Sequence, residues 1–280
     1  MGLFHYTDLN GFKGIVENSS IWATNIHFMN DKNEFIHGCL CFKNAIDYLN
    51  EDVVPSGLKR MLKTAISKYD DLGLVAHEKS RHVYSISFCR GVDKLSQWRG
   101  YGNSQGVSIE FDELELINGL ERDNLSFKHG DVIYTEENST VEINEKITEF
   151  FSNISEQYLE DNKDEGDGYA NSFMRFITAN ILIESNIPFL KNSGFAEENE
   201  FRLVFSRGIF MPKVNFRVGG YGLIPYLNIK MKGGDRLPIK KVVIGPAKDN
   251  ELIHLGVRML LDENGYNDVL IEFSSVPYRG

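Results

Sequence analysis

Cysteine, proline and tryptophan are scarce in this chain, with three, seven and two residues among 280. The cysteines, Cys39, Cys41 and Cys89, form no C-x-x-C pair and accompany no signal-peptide pattern. That argues against a disulfide-stapled secreted scaffold and implies a reduced, cytoplasmic setting in which Cys39 and Cys41 are buried thiols. Long apolar runs are missing as well. A charge interrupts every stretch well short of the roughly 20 residues that cross a bilayer, so the expectation is no membrane role. Internal repeats, zinc spacings, a G-x-S-x-G elbow and a Walker loop are also absent. Basic residues number thirty against forty acidic ones, and the net charge of −10 works against a nucleic-acid partner. The imbalance is local, however. Eleven acids and two lysines lie between Glu136 and Asp167, which leaves the rest of the chain near neutral. That segment reads either as a solvated helix face and loop or as a surface for a basic partner or antitoxin.

What is present suits a well-packed chain, since 42% of residues are hydrophobic and 12% aromatic. The first stretch, LFHYTDLNGFKGIVENSSIWAT, predicts a strand through Leu3, Phe4 and Tyr6. A helix capped by Asp8 and carrying Phe12, Ile15 and Val16 follows, then a second strand. His5, Tyr6 and Thr7 sit where the first strand opens, although a lone histidine reads first as structural. A helix through Phe35, Cys39, Phe42, Ile46 and Leu49 comes next, with Asn30 or Asp31 as cap and Glu34 at capping-box spacing. Leu58 to His77 predicts another amphipathic helix, as do Asn144 to Leu159 and Tyr169 to Asn186. DVIYT reads as a short strand between them.

Two strands carry the polar signals. In HVYSISFC, Ser85 and Ser87 alternate with Tyr84, Ile86 and Phe88, so the serine face lines a cleft or meets solvent. In AEENEFRLVF, residues Glu198, Glu200 and Arg202 are two apart and share a face in an extended chain, either an exposed sheet surface or a site with a perturbed carboxylate. Gln97, Trp98, Arg99 and Tyr101 fall in a glycine-flanked loop, a place where exposed aromatics and an arginine bind ligands. The final eighty residues alternate strand and helix. VVIGP, a helix from Leu252 to Asn264, and VLIEF read as a βαβ connection whose single Gly-Pro falls short of a phosphate-cradling loop.

The blocks FHYT, FMNDKNEF, ISFCR, LSQWRGYGNSQGVSIEFD, F-x-x-E-x-E-F-R-L, VVIGP and SSVPYR resemble those of a widespread bacterial family with no assigned chemistry. More distantly, a first strand with His, an immediate T-x-L-x-G-x-x-x-I helix and a late E-x-E strand resemble the ADP-ribosyltransferase scaffold of DNA-targeting toxins and RNA 2′-phosphotransferases. That resemblance implies an α+β fold, a split antiparallel sheet with flanking helices. It implies one elaborated domain over 1–280 with helical insertions at about 35–80 and 140–187 and a βαβ-like segment at 221–280. It also implies NAD as co-substrate. His5, with Tyr6 and Thr7, would hold a ribose, Ser85 and Ser87 would line the cleft, and an aromatic among Tyr84, Trp98 and Tyr101 would stack on nicotinamide. Arg99 would contact the pyrophosphate, Glu200 would be catalytic, and Glu198 would position the acceptor. The activity so implied is that of an intracellular toxin or phage-defence effector modifying a macromolecule, nucleic acid ahead of protein. Two rival readings are a metal-dependent hydrolase or nuclease using His5, Asp31, Glu34, Glu198 and Glu200, and a non-catalytic module binding through Trp98 and Tyr101.

Overall fold

A computed structural model describes residues 2–29, 33–49, 56–69, 83–102, 105–121, 125–136, 140–149, 177, 179–207, 213–219 and 222–277. These form a mixed α+β structure in two compact units. One comprises Met1–Thr24, Tyr84–Asp131 and Glu197–Gly280, the other Asn25–Val83 and Val132–Ala196. Among the described residues no helix is long and apolar enough to cross a membrane.

The first unit is built on a large, mostly antiparallel sheet. Its strands are β1 (Gly2–Asp8), β2 (Ser20–Asn25), β3 (Val83–Cys89), β4 (Gly106–Asp112), β5 (Leu125–Asp131), β8 (Glu200–Arg207), β9 (Asn215–Gly219), β10 (Gly222–Lys230), β11 (Ile239–Ile244) and β12 (Leu270–Phe273). The order is β12-β11-β4-β1-β3-β2-β10-β9, with β8 pairing with both β3 and β5. Period-two alternation explains the faces. Leu3, Ile86, Phe88, Val107, Ile109, Phe111, Phe201, Leu203, Phe205, Val242 and Ile244 form one apolar core. Helix α1 (Leu9–Asn18) adds Phe12, Ile15 and Val16 to it. The Asp8 carboxylate caps α1 by accepting from the Gly11 N–H at 2.8 Å. A Cβ at Gly11 would collide with the Thr7 hydroxyl, so the Thr-Asp-x-x-Gly sequence fixes how β1 enters the helix.

On the opposite face several sequence blocks meet. The expected loop around Trp98 is instead the short helix α4 (Leu95–Tyr101), and Trp98 is 2% exposed. Burial wins because the indole fits between two ready partners. Its ring meets Tyr6 edge-on at 4.8 Å, and its Nε1–H donates to Asp93 at 2.8 Å. A Cβ at Gly245 would come within 2.8 Å of that indole, so the Gly of VVIGP makes room for Trp98, while its N–H donates to the Gly106 carbonyl. The Ser274 hydroxyl and the Ser275 N–H and hydroxyl also donate to Asp93. Helix α8 (Asn250–Glu263) connects β11 to β12, which run parallel; α5 (Glu113–Gly119) follows β4 and takes its cap from Asp112.

The second unit holds α2 (Glu34–Tyr48), α3 (Ser56–Ser67), α6 (residues 141–149), α7 (residues 179–186) and the parallel pair β6 (Ile133–Thr135) and β7 (Leu190–Asn192). The expected DVIYT strand is broken at Val132, because Asp131 ends β5 in one unit and Ile133 starts β6 in the other. Phe35, Cys39, Phe42, Ile46 and Leu49 are buried as their spacing predicts, and Cys39 and Cys41 are buried thiols outside any disulfide. Glu34 is buried against Lys191 at 3.6 Å, and the cap position of α2 is Asn33, which makes no side-chain cap bond. Asn30 and Asp31 lie outside the described residues, as do Leu72, Leu74, Phe150, Phe151, Ile154, Tyr158, Phe173 and Phe176.

Burial opposes the Asp93 carboxylate, but the donors from Ser274, Trp98 and Ser275 outweigh it and hold its pKa below the usual value. An acid whose folded pKa is depressed contributes stability that is complete above the unfolded value of about 3.9 and is lost as pH falls through the folded one. Asp93→Asn keeps the shape and tolerates the left-handed backbone (φ 55°) but offers these donors one acceptor oxygen. We expect it to cost about 2 kcal/mol in urea denaturation at pH 7, with the gap to wild type narrowing below about pH 4. Equal stabilities at pH 7 would contradict this role.

Candidate functional site

The pairing of β1 with β3 is brief. Strand β1 pairs with β4 along seven residues, yet among the described residues it meets β3 only at Phe4↔Cys89. Beyond that pair β1 leaves β3, whose other sheet neighbours are β2 and β8. His5 stands at the parting. Its Nδ1 lies 3.0 Å from the Ser87 carbonyl, and a carbonyl can only accept, so the ring carries its proton on Nδ1. Burial lowers the His5 pKa; the bond to Ser87 opposes this, and the positive charge of Arg217 lowers it further. A neutral imidazole with an accepting Nε2 follows.

Strand β3 also presents Ser85, 3% exposed, and Ser87. Their hydroxyls are out of solvent and, among the described residues, have no hydrogen-bond partner. Leaving a buried hydroxyl unpaired costs about 1–3 kcal/mol, so a pair of them on one strand calls for an explanation. Of the two readings of this face, open solvent does not hold.

The E-x-E segment is more elaborate than an even strand. Glu198 ends a 3-10 turn (Ser193–Glu198), and Asn199 has φ 45°, so the alternation begins only at Glu200. Glu198 therefore does not extend the face of Glu200 and Arg202, because a left-handed residue separates them. Three donors from the stretch after β3 seize three successive carbonyls here. The Lys94 ammonium donates to Glu197 at 3.0 Å, the Cys89 thiol to Glu198 at 3.0 Å and the Arg90 N–H to Asn199 at 2.9 Å. The Arg90 side chain forks onto Glu113 at 2.6 and 3.1 Å, reaches Asp131 at 2.6 Å and lies 4.4 Å from the centre of the Phe201 ring. Burial raises the Cys89 pKa, so the thiol stays a donor.

Glu200 is 4% exposed and Arg202 fully buried. The Arg202 Nε donates to Glu200 Oε2 at 2.7 Å, and its Nη2 contacts the same oxygen. With Phe201, Leu203 and Phe205 in the core, Glu200 belongs to the face of Cys89, whereas His5 shares the face of Phe88, whose ring centre is 5.7 Å away. Ser85, Ser87 and Glu200 thus share the Cys89 face of the sheet, and His5 lies on the opposite face. Tyr6 lies on the Cys89 face. Its O–H donates to the Gly91 carbonyl and accepts from the Lys94 N–H, and burial pushes its pKa up to about 12. Thr7 is half-buried against Gly11. Trp98 is locked away, Tyr101 is half-buried against the same cluster, and Arg99 is exposed on α4.

The sequence reading passed over Arg217, Trp22 and Tyr226. Arg217 in β9 donates from Nη2 to the Thr24 hydroxyl at 3.3 Å and lies 5.8 Å from the Trp22 ring, which in turn meets Tyr226 at 4.7 Å. An Arg between Phe216 and Val218 in an extended run was the available signal. No group of three or more His, Cys, Asp or Glu among the described residues could hold a metal ion, and Asp31 lies outside them.

A family model described as a protein of unknown function (DUF2971) matches residues 97–203, from within α4 into β8. No curated protein and no solved structure matches the chain.

A histidine with a lowered pKa contributes stability that is complete above about pH 6.5 and fades as pH falls through the folded value. His5→Asn places an amide N–H where Nδ1–H stands and removes the titration. We expect the loss of wild-type stability between pH 7.5 and 5.5 in urea denaturation to be smaller in this variant. Identical losses in the two proteins would contradict a neutral, buried His5.

Proposed function

We propose that the chain is an NAD-dependent ADP-ribosyltransferase that modifies a macromolecule inside the cell, RNA or DNA ahead of protein, as a toxin or phage-defence effector. One observation carries the reading: β1 and β3 part at His5, and β3 presents two buried hydroxyls without a partner among the described residues, with Glu200 on the neighbouring strand β8. Those are the polar groups that the resemblance to the ADP-ribosyltransferase scaffold assigns to the NAD cleft.

In this reading Glu200 accepts from the 2′-hydroxyl of the nicotinamide ribose and stabilises the positive charge that develops as the C1′–N bond breaks. The bonding pair leaves with nicotinamide, whose ring becomes neutral. The acceptor's oxygen or nitrogen then bonds to C1′ and loses its proton to a carboxylate, Glu200 or Glu198. Ser85 and Ser87 supply hydroxyls to the ribose, and neutral His5 offers an acceptor to a sugar hydroxyl. The tie of Glu200 to Arg202 holds the carboxylate in place, and the three gripped carbonyls fix the turn before it.

Incubating the protein with NAD labelled in the adenylate moiety, with cell RNA, DNA and lysate protein as separate acceptors, tests the proposal. Transfer of label to one of them, unaffected by chelator and abolished in Glu200→Gln, is the expected result. No transfer to any acceptor, or an NAD-independent activity that chelator stops, would overturn it. Glu200→Ala is unsuited to the test. It removes the carboxylate that the buried Arg202 holds and so disturbs the fold as well as the chemistry.

A further inference from the structure

We propose that Arg217, Trp22 and Tyr226 form the subsite that takes the pyrophosphate and adenine of the dinucleotide. The identity of that ligand as NAD rests on the reading above; the subsite itself rests on different residues. The other buried or half-buried arginines described in contact detail each hold a carboxylate: Arg90 has Glu113 and Asp131, Arg202 has Glu200, and Arg258 has Asp262. Arg217 does not follow them. Its contacts are the Thr24 hydroxyl and the Trp22 ring, and among the described residues its Nε is out of solvent with no hydrogen-bond partner. In a chain with forty acids and thirty bases, a half-buried guanidinium without an acid beside it is a charge kept for an anion from outside.

The neighbours define which anion. Trp22 and Tyr226 are half-buried and meet at 4.7 Å with planes 34° apart, so the ring beside the guanidinium is one of an aromatic pair. An arginine beside stacked aromatics suits a phosphate joined to a base, since every base has a face to stack and a phosphate accepts the fork. Arg217 also acts electrostatically on His5, which places its charge near the parting of β1 and β3. A planar amide alone would need no such charge, and a bare phosphate would need no aromatic pair.

The test uses the full chain and isothermal titration with two probes. ADP-ribose carries the pyrophosphate and adenine without nicotinamide, and nicotinamide riboside carries neither. Wild type should bind ADP-ribose. Arg217→Met, which keeps an apolar stem against Trp22, should weaken that binding about 10- to 100-fold, and Trp22→Leu about 10-fold. Arg217→Lys keeps the charge without the fork and should fall between, which preserves the test if the Met variant does not fold. Nicotinamide riboside binding should change less than twofold in the Arg217 variants. ADP-ribose failing to bind wild type, or binding all three variants like wild type, would overturn the proposal. Arg217-dependent binding of ADP-ribose without label transfer from NAD would uphold the subsite and reject the transferase. Label transfer with Arg217-independent binding would do the reverse.

Discussion

Among the described residues one ladder pair, Phe4 opposite Cys89, joins β1 to β3, and the first unit is arranged around that brief contact. An antiparallel pair zipped along its length would leave no polar group to spare. Here β1 gives its full length to β4 instead, and the backbone of β3 turns to other partners: the His5 ring at Ser87, and the strands β2 and β8. A side chain thus substitutes for part of a ladder. That exchange fixes the tautomer of the imidazole, while burial, aided by the charge of Arg217, lowers its pKa.

Around this opening the protein spends most of its order on holding two segments still. The first is the turn before Glu200, gripped through three consecutive carbonyls by Cys89, Arg90 and Lys94. The second is the stretch from Ser274 to Val276, drawn onto Asp93 and the Trp98 cluster. Both use the segment after β3, so residues 89–98 work as a bracket between the two. The glycines of the motif blocks serve the same end. Gly245 leaves room for the indole, and Gly106 lies against Gly102 so closely that a Cβ would not fit. A fully buried Arg202 with Glu200 beside it adds a polar contact that demands a defined geometry, because charges taken out of water are tolerated only when well paired.

Much of the scaffold was legible from periodicity and caps. Asp8 at the head of α1, the core stripe of α2 and the alternation of β3 are local features, and the local pattern determines them. The site was legible only in part, for physical reasons that can be named. Trp98 between glycines looked exposed because a sequence does not show that Tyr6 and Gly245, far away in the chain, build a slot for an indole. Glu198 looked like a strand residue because spacing alone does not reveal the left-handed Asn199. Arg217 went unnoticed because a charge in an extended run is ordinary, and its meaning comes from Thr24 and Trp22, nearly two hundred residues earlier.

The most direct measurement of the central claim is ¹⁵N NMR of the imidazoles, with His5 identified by its loss in His5→Asn. If the opening between β1 and β3 receives NAD, the free protein at pH 7 shows His5 neutral with its proton on Nδ1, and the His5 Nε2 resonance shifts in a saturable way as NAD is added. A His5 signal that NAD leaves unmoved at saturating concentration would contradict the account.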